Sequence, residues 1–241
     1  GKYMIGLGTA INIGLIIAGS LCGLAFGRFM KENLKQTLMM VSGIIVLLLG
    51  MSGAMQYMLV IVNGTLQTTG PMLMIISMVA GAVIGELIDL NRWITVFGDW
   101  VKAKTGNTGD PQFTHAFITA SLTFTVGAMG VLGSIQDGLT GNYQTLLLKG
   151  ILDGIIVMVM VSSMGKGALF SFIPVGITQW IITAMAHIAA PLMTPSAIDN
   201  LSYVGSILIF CVGIDLIWPG KIRIANLLPA IFVAMGLTFL L

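Results

Sequence analysis

Apolar runs close to the ~20 residues that a helix needs to cross a hydrocarbon core recur along the whole chain. They predict eight spans: 5–27, 37–59, 70–90, 111–133, 142–164, 172–191, 200–218 and 224–241. Pro71, Pro111 and Pro174 fall at span starts, where a missing N–H costs little. Pro229 falls inside the last run and predicts a kink or a later start. Residues 91–104, NRWITVFGDWVKAK, interrupt the series. Trp93, Val96, Phe97, Trp100 and Val101 recur at helical spacing, and Arg92, Asp99 and Lys102 lie off that stripe. This is the pattern of an amphipathic helix lying in the membrane interface, either an anchor or a regulatory element.

Eight crossings divide the loops into two sets, and the basic residues test the division. Arg28, Lys31, Lys35, Arg92, Lys102, Lys104, Lys166, Lys221 and Arg223 all fall in loops on one face. The other face has only Lys2, and Lys149 lies within the fifth span. By the positive-inside rule the basic loops face the cytoplasm and both termini face outward. Composition agrees: 56% of the 241 residues are hydrophobic and 8% charged, against about 25% charged in a soluble domain. The net charge of +2 gives no reason to expect a nucleic acid partner. The first apolar run, with Asn12 and several glycines inside it, is a span rather than a cleavable signal.

A shift of 163 residues lays LKQTLMMVSGIIVLLLGM (34–51) on AIDNLSYVGSILIFCVGI (197–214) without a gap. Leu38/Leu201, Val41/Val204, Ile44/Ile207 and Gly50/Gly213 are identical, and Pro71 meets Pro229 after a short gap. Spans one to three then match six to eight, an odd offset, so the copies have opposite orientation. The loop bases agree: RFMKENLKQ is basic and its counterpart MTPSAIDN is not, while IVNGTLQTT has no base and its counterpart has Lys221 and Arg223. The fold class expected is an all-α polytopic membrane protein, one integral domain over 1–241, with an inverted-topology repeat. Its divisions are a first repeat (5–90), an interfacial helix (91–104), a central hairpin (111–164) and a second repeat (172–241). Such repeats place binding sites near the midplane.

Polar residues inside spans mark the candidate chemistry, because intramembrane charge is costly unless it faces a partner or a cavity. Thr145, Lys149 and Asp153 share one helix face, and Asp153 lies roughly 16 Å into its span. The Lys149–Asp153 pair is either a sealed structural ion pair or a site for a cation, a proton or a zwitterionic solute. Thr119 and Thr123 form a hydroxyl stripe with His115, and Ser121 and Thr125 form a second. They line a path or bond neighbouring helices. Asn12 needs a partner inside its span. Gly19, Gly23 and Gly27 permit close helix contact, either within the chain or across a homodimer. GSIQDGLTG (133–141) is the expected outer turn of the hairpin. Its Gln136 and Asp137 either cap that turn or fold inward toward Asp153.

GAMGVLGSIQDGLTGN (127–142), LLLKGILDG (146–154) and LFSFIP (169–174) resemble the bacterial membrane family catalogued as domain of unknown function 554. The resemblance runs from about Met4 to the C-terminus. It implies a bacterial inner-membrane protein and brings no activity, cofactor or catalytic residue with it.

The leading expectation is a small-solute or ion transporter or channel with its site around Asp153. Lys149, Asp137, Gln136, Asn12, Thr119 and Thr123 are the candidate neighbours. The alternative is a structural or accessory membrane protein whose polar residues lock helix packing. An enzyme is not expected: there is no zincin motif, no nucleotide loop and no Ser–His pair at one depth. Cys22 and Cys211 are separate and read as packing residues, so neither a metal nor another cofactor is expected.

Overall fold

The computed structural model describes residues 4–239. Lys2 and the last two residues of the expected 224–241 span lie outside them. The element order is α1 (Leu7–Gly27), α2 (Glu32–Met58), β1 (Leu59–Val62), β2 (Thr65–Thr68), α3 (Pro71–Ile88), α4 (Leu90–Lys104), α5 (Phe113–Thr125), α6 (Ala128–Thr140) and α7 (Gln144–Met164). A 3₁₀ turn, Lys166–Ser171, leads into α8 (Phe172–Ala184), followed by α9 (Ala186–Ala189) and α10 (Pro195–Ile217). A second 3₁₀ turn, Ile224–Leu227, leads into α11 (Pro229–Leu237).

Among the described residues six helical segments are long and apolar enough to cross a membrane, or seven if a bent pair counts as one span. Two of the eight expected spans differ. The 111–133 span is broken: α5 stops at Thr125, and the chain bends by 61° into the second half. Gly127, at φ +141, occupies the break in a conformation that other residues rarely adopt. The last span is a shorter apolar stretch, Ile224–Leu237, because Pro229 opens α11 in its first turn and the preceding residues form the 3₁₀ turn.

One further expectation changes. GSIQDGLTG is not a turn: α6 runs on to Thr140, and the reversal comes at Gly141, φ +69. Its glycines serve packing. Gly133 lies against Leu146 and Gly138 against Thr183 and Ala186, where larger side chains would collide. The fold is the helical one expected, with one short addition. β1 and β2 form an antiparallel hairpin around Asn63 (φ +53) and Gly64 (φ +76). Asn-Gly is the favoured pair for a two-residue turn with both central φ angles positive.

The chain forms two compact units. The first comprises residues up to 42, 95–125 and 129–191. In it α1 and α7 run parallel in close contact. A methyl group at Gly19 would strike the Gly154 carbonyl, and one at Gly23 the Met158 carbonyl. Gly27 faces Ser162 in the same register. The glycine stripe that offered a dimer surface therefore lies against α7 within the chain. The buried face of α1 is small and polar: Gly8, Thr9, Asn12, Ser20 and Gly23 surround Ile16. Meanwhile Leu148, Ile151, Leu152 and Ile155 of α7 are exposed. Small residues inside and large apolar ones outside is the inversion expected of helices solvated by lipid. α8 runs antiparallel to α1, with Gly176 on Ile13 and Trp180 beside Gly6. Val101, Phe113 and Phe117 form a core extended by Phe97 and Phe170. The apolar stripe of α4 thus divides: Phe97 and Val101 pack on α5, whereas Trp93, Val96 and Trp100 remain exposed.

The second unit comprises 43–94, 126–128 and residues from 192. There α2 and α10 run antiparallel. Gly50 abuts Phe210, and Gly213 abuts Leu47, each without room for a methyl group. α3 and α11 are also antiparallel, with Gly81 on Ala230 and Gly85 on Asn226. Val204, Ala230 and Ala234 form the core between them. Thr194 caps α10 by accepting from the Ala197 N–H at 3.2 Å, and Pro195 opens the helix. Arg223 bridges Glu86 (2.5 Å) and Asp89 (3.0 Å) at the end of α3.

Candidate functional site

Lys149 and Asp153 stand one turn apart on α7 and form an ion pair. Their side chains are 8% and 10% exposed, so the pair is nearly enclosed. The Lys149 ammonium also donates to the Phe124 carbonyl at 2.8 Å. Phe124 lies in the last turn of α5, where the break leaves carbonyls without intrahelical donors and concentrates partial negative charge. The ammonium thus neutralises both a buried carboxylate and a helix end. Gly130, in the first turn of α6, lies beside Lys149: a methyl there would be in ordinary contact with Cε at 3.4 Å.

Asn12 joins this group. It is fully buried, with its Cα against Gly150 and its amide beside the Asp153 carboxylate. Beside Phe124 and Gly130, both neighbours of Lys149, is a cavity of about 10 Å³, lined also by Thr125, Thr178 and Gln179. Room for a single water starts at about 10–15 Å³. Two atoms in its walls, Thr125 Oγ1 and Gln179 Oε1, are buried without a hydrogen-bond partner among the described residues. Unsatisfied buried polar groups are expensive. Thr125 and Gln179 leave two of them close to the ion pair.

The remaining candidates are elsewhere. Asp137 is fully buried, but on α1: the Gly8 N–H donates to its Oδ2 at 3.1 Å. It faces inward, as one reading of its segment had it, yet its partner is a helix N-terminus rather than Asp153. Gln136 is exposed and accepts from Thr145 Oγ1 at 2.6 Å. Thr123 donates to the Thr119 carbonyl at 2.7 Å, and Ser121 to the Phe117 carbonyl at 2.5 Å. Those hydroxyls are spent within α5. Sequence reasoning missed Gln179, although a lone amide in VGITQWIITA poses the same problem as Asn12. It could not see the Phe124 carbonyl, which has a role only because the helix breaks there. No cluster of three or more His, Cys, Asp or Glu side chains suited to a metal occurs among the described residues.

Comparison with known proteins extends the picture. The chain is 27% identical to the uncharacterized membrane protein YdfK of Bacillus subtilis, over 97% of this chain and 96% of that one. It is 24% identical to the uncharacterized protein YqgA of Escherichia coli, over 96% of each chain. No solved structure matches. The family described as protein of unknown function (DUF554) matches residues 7–239, the same family that the GSIQDGLTG region resembles. The chain, a helical membrane protein, belongs to that family.

Proposed function

We propose that the protein is a small-solute or ion transporter or channel of the bacterial inner membrane, and not an enzyme, with its site around Lys149 and Asp153. One observation carries this reading: the Lys149 ammonium lies between the Asp153 carboxylate and the open C-terminal end of a broken helix. Broken helices with exposed ends are how membrane transporters offer ligands to solutes within the bilayer. A carboxylate and a carbonyl held by an internal ammonium form a cation site that a permeating cation or a solute amine can contest. The Asn12 amide and the unbonded Thr125 and Gln179 groups supply further ligands near it.

The inverted repeat is part of the proposal. Its support is reciprocity. The shift of 163 residues that carries Gly50 to Gly213 also carries Leu47 to Phe210. The contacts are Gly50 with Phe210 and Gly213 with Leu47. Exchanging the copies returns the same contact, the mark of a two-fold relation. The other matched pairs, α1 with α8 and α3 with α11, also pack antiparallel within their units, as opposed copies require. On this reading the helix broken at 125–128 and the short Ile224–Leu237 stretch complete eight crossings, and both termini lie outside.

The near enclosure of Lys149 and Asp153 favours a second reading, a structural or accessory protein in which the pair locks α7. Charge movement separates the two. Proteoliposomes on a solid-supported membrane, given imposed Na⁺, K⁺ or proton gradients, are expected to pass a current under at least one gradient. Asp153→Asn is expected to abolish it. A current that Asp153→Asn leaves unchanged excludes Asp153 as the coupling group, and silence under every ion and metabolite gradient applied supports the structural reading.

A further inference from the structure

At the other end of α7 the first unit holds a larger cavity, about 480 Å³, in the size range of small-molecule sites. Its walls come from the end of α1, the start of α2, the segment before α5 and the end of α7. Arg28, Lys35 and Lys166 line it from three of these places. None of the three is ion-paired among the described residues, although Glu32 and Asp110 also line the cavity. Asp110 is engaged otherwise: its Oδ1 accepts from the Gln112 N–H at 3.0 Å, ahead of α5. Glu32 opens α2, where a helix N-terminus favours negative charge. The ends of α1 and α7 temper the three cations and Asp110 Oδ2 lies near Gly165 at the end of α7, yet three cations against two carboxylates leave the cavity net positive. Leu24, Val161 and Met164 give one wall an apolar character. The charge balance, the size and the apolar wall call for an anion whose several oxygens engage separate cations, with carbon attached.

We infer that this cavity binds a phosphate group, with Arg28, Lys35 and Lys166 as its ligands. Guanidinium and ammonium groups make short, charge-assisted bonds to phosphate oxygens. The phosphate is that of a lipid headgroup, which basic pockets between membrane helices bind, or of a soluble solute. The site lies apart from Lys149 and Asp153 and does not depend on transport.

The test uses the full chain purified in a neutral detergent. Thermal unfolding is followed against inorganic phosphate and glycerol 3-phosphate, with chloride at equal ionic strength as reference. Native mass spectrometry then compares phosphatidylglycerol with phosphatidylcholine. Stabilisation by the free phosphates, or selective retention of phosphatidylglycerol, is expected; which of the two occurs identifies the source. Lys166→Gln is expected to weaken that binding at least tenfold, with Lys35→Gln as the second variant should the first not fold. Lys104→Gln, a base outside the cavity, and Asp153→Asn are expected to leave it intact. The proposal is overturned if neither phosphate form binds better than its reference. It is equally overturned if Lys104→Gln weakens binding as much as the cavity variants do.

Discussion

The Gly8 N–H donates to Asp137 Oδ2 across 129 residues of chain, at 3.1 Å and out of solvent. Gly8 is in the first turn of α1, so the carboxylate meets a helix end that carries partial positive charge and orphan donors. Leu146 packs against the same glycine from α7. Asp137 therefore ties the start of α1 to α6, and the polar pair of GSIQDGLTG divides: Asp137 secures a helix end inside, and Gln136 bonds Thr145 outside.

Removing that acceptor should cost stability. Asp137→Ala leaves a buried N–H unbonded, a loss of about 1–3 kcal/mol. Asp137→Asn retains an acceptor and should cost less. Thermal unfolding in detergent measures both. A melting temperature unchanged in Asp137→Ala would show that other groups hold the α1 terminus.

The contact between α1 and α7 makes a sharper forecast, because one helix contains both a sensitive glycine and an indifferent one. At Gly19 a methyl group would strike the Gly154 backbone, which has no side chain to move aside. At Gly14 nothing lies within 4 Å. Gly19→Ala should lose about 1–3 kcal/mol from overpacking, whereas Gly14→Ala should be neutral or slightly stabilising through helix propensity. Equal melting temperatures for the two variants would be incompatible with this packing.

How legible these features were depends on how local their causes are. The Lys149–Asp153 pair was visible because i and i+4 residues share a helix face whatever surrounds them. Asn12 was visible because a buried amide is conspicuous in an apolar run. The Gly19, Gly23, Gly27 stripe announced close contact but not with which helix; only the shared register with Gly154, Met158 and Ser162 answers that. The glycines of VGAMGVLG (126–133) mark a break in the sequence, either a broken helix that exposes its ends or a flexible connection. They do not give its place or angle within the 111–133 span, because the bend turns on the φ of Gly127. The Phe124 carbonyl is a ligand only as a consequence of that bend. Asp137 looked like a turn residue because its partner, Gly8, is far away in sequence. The β-hairpin was the avoidable miss, since Asn63-Gly64 between β-branched residues is a local signal.

The ion pair itself can be divided between structure and transport. Lys149→Met alone leaves the Asp153 carboxylate buried without its cation and should cost about 3–5 kcal/mol. Adding Asp153→Leu removes the stranded charge, so the double variant should recover most of that stability. Ion-driven current should stay absent in the double variant. Recovery of stability together with wild-type current would mean that the pair has no part in transport.

The reciprocal glycines offer a test of the repeat that needs no substrate. Gly50 and Gly213 each close on the backbone of the opposing helix, at residues related by the same shift. Two copies in a two-fold arrangement should respond alike to the same lesion. Gly50→Ala and Gly213→Ala are therefore expected to lower the melting temperature by similar amounts. Their double variant should lose less than the sum, because either methyl group alone already forces α2 and α10 apart and sites in contact are not additive. Gly236→Ala, in α11 with nothing within 4 Å, is the neutral reference. A large loss at one of the paired glycines and none at the other would leave the shared contact without symmetry and the inverted repeat without its main support.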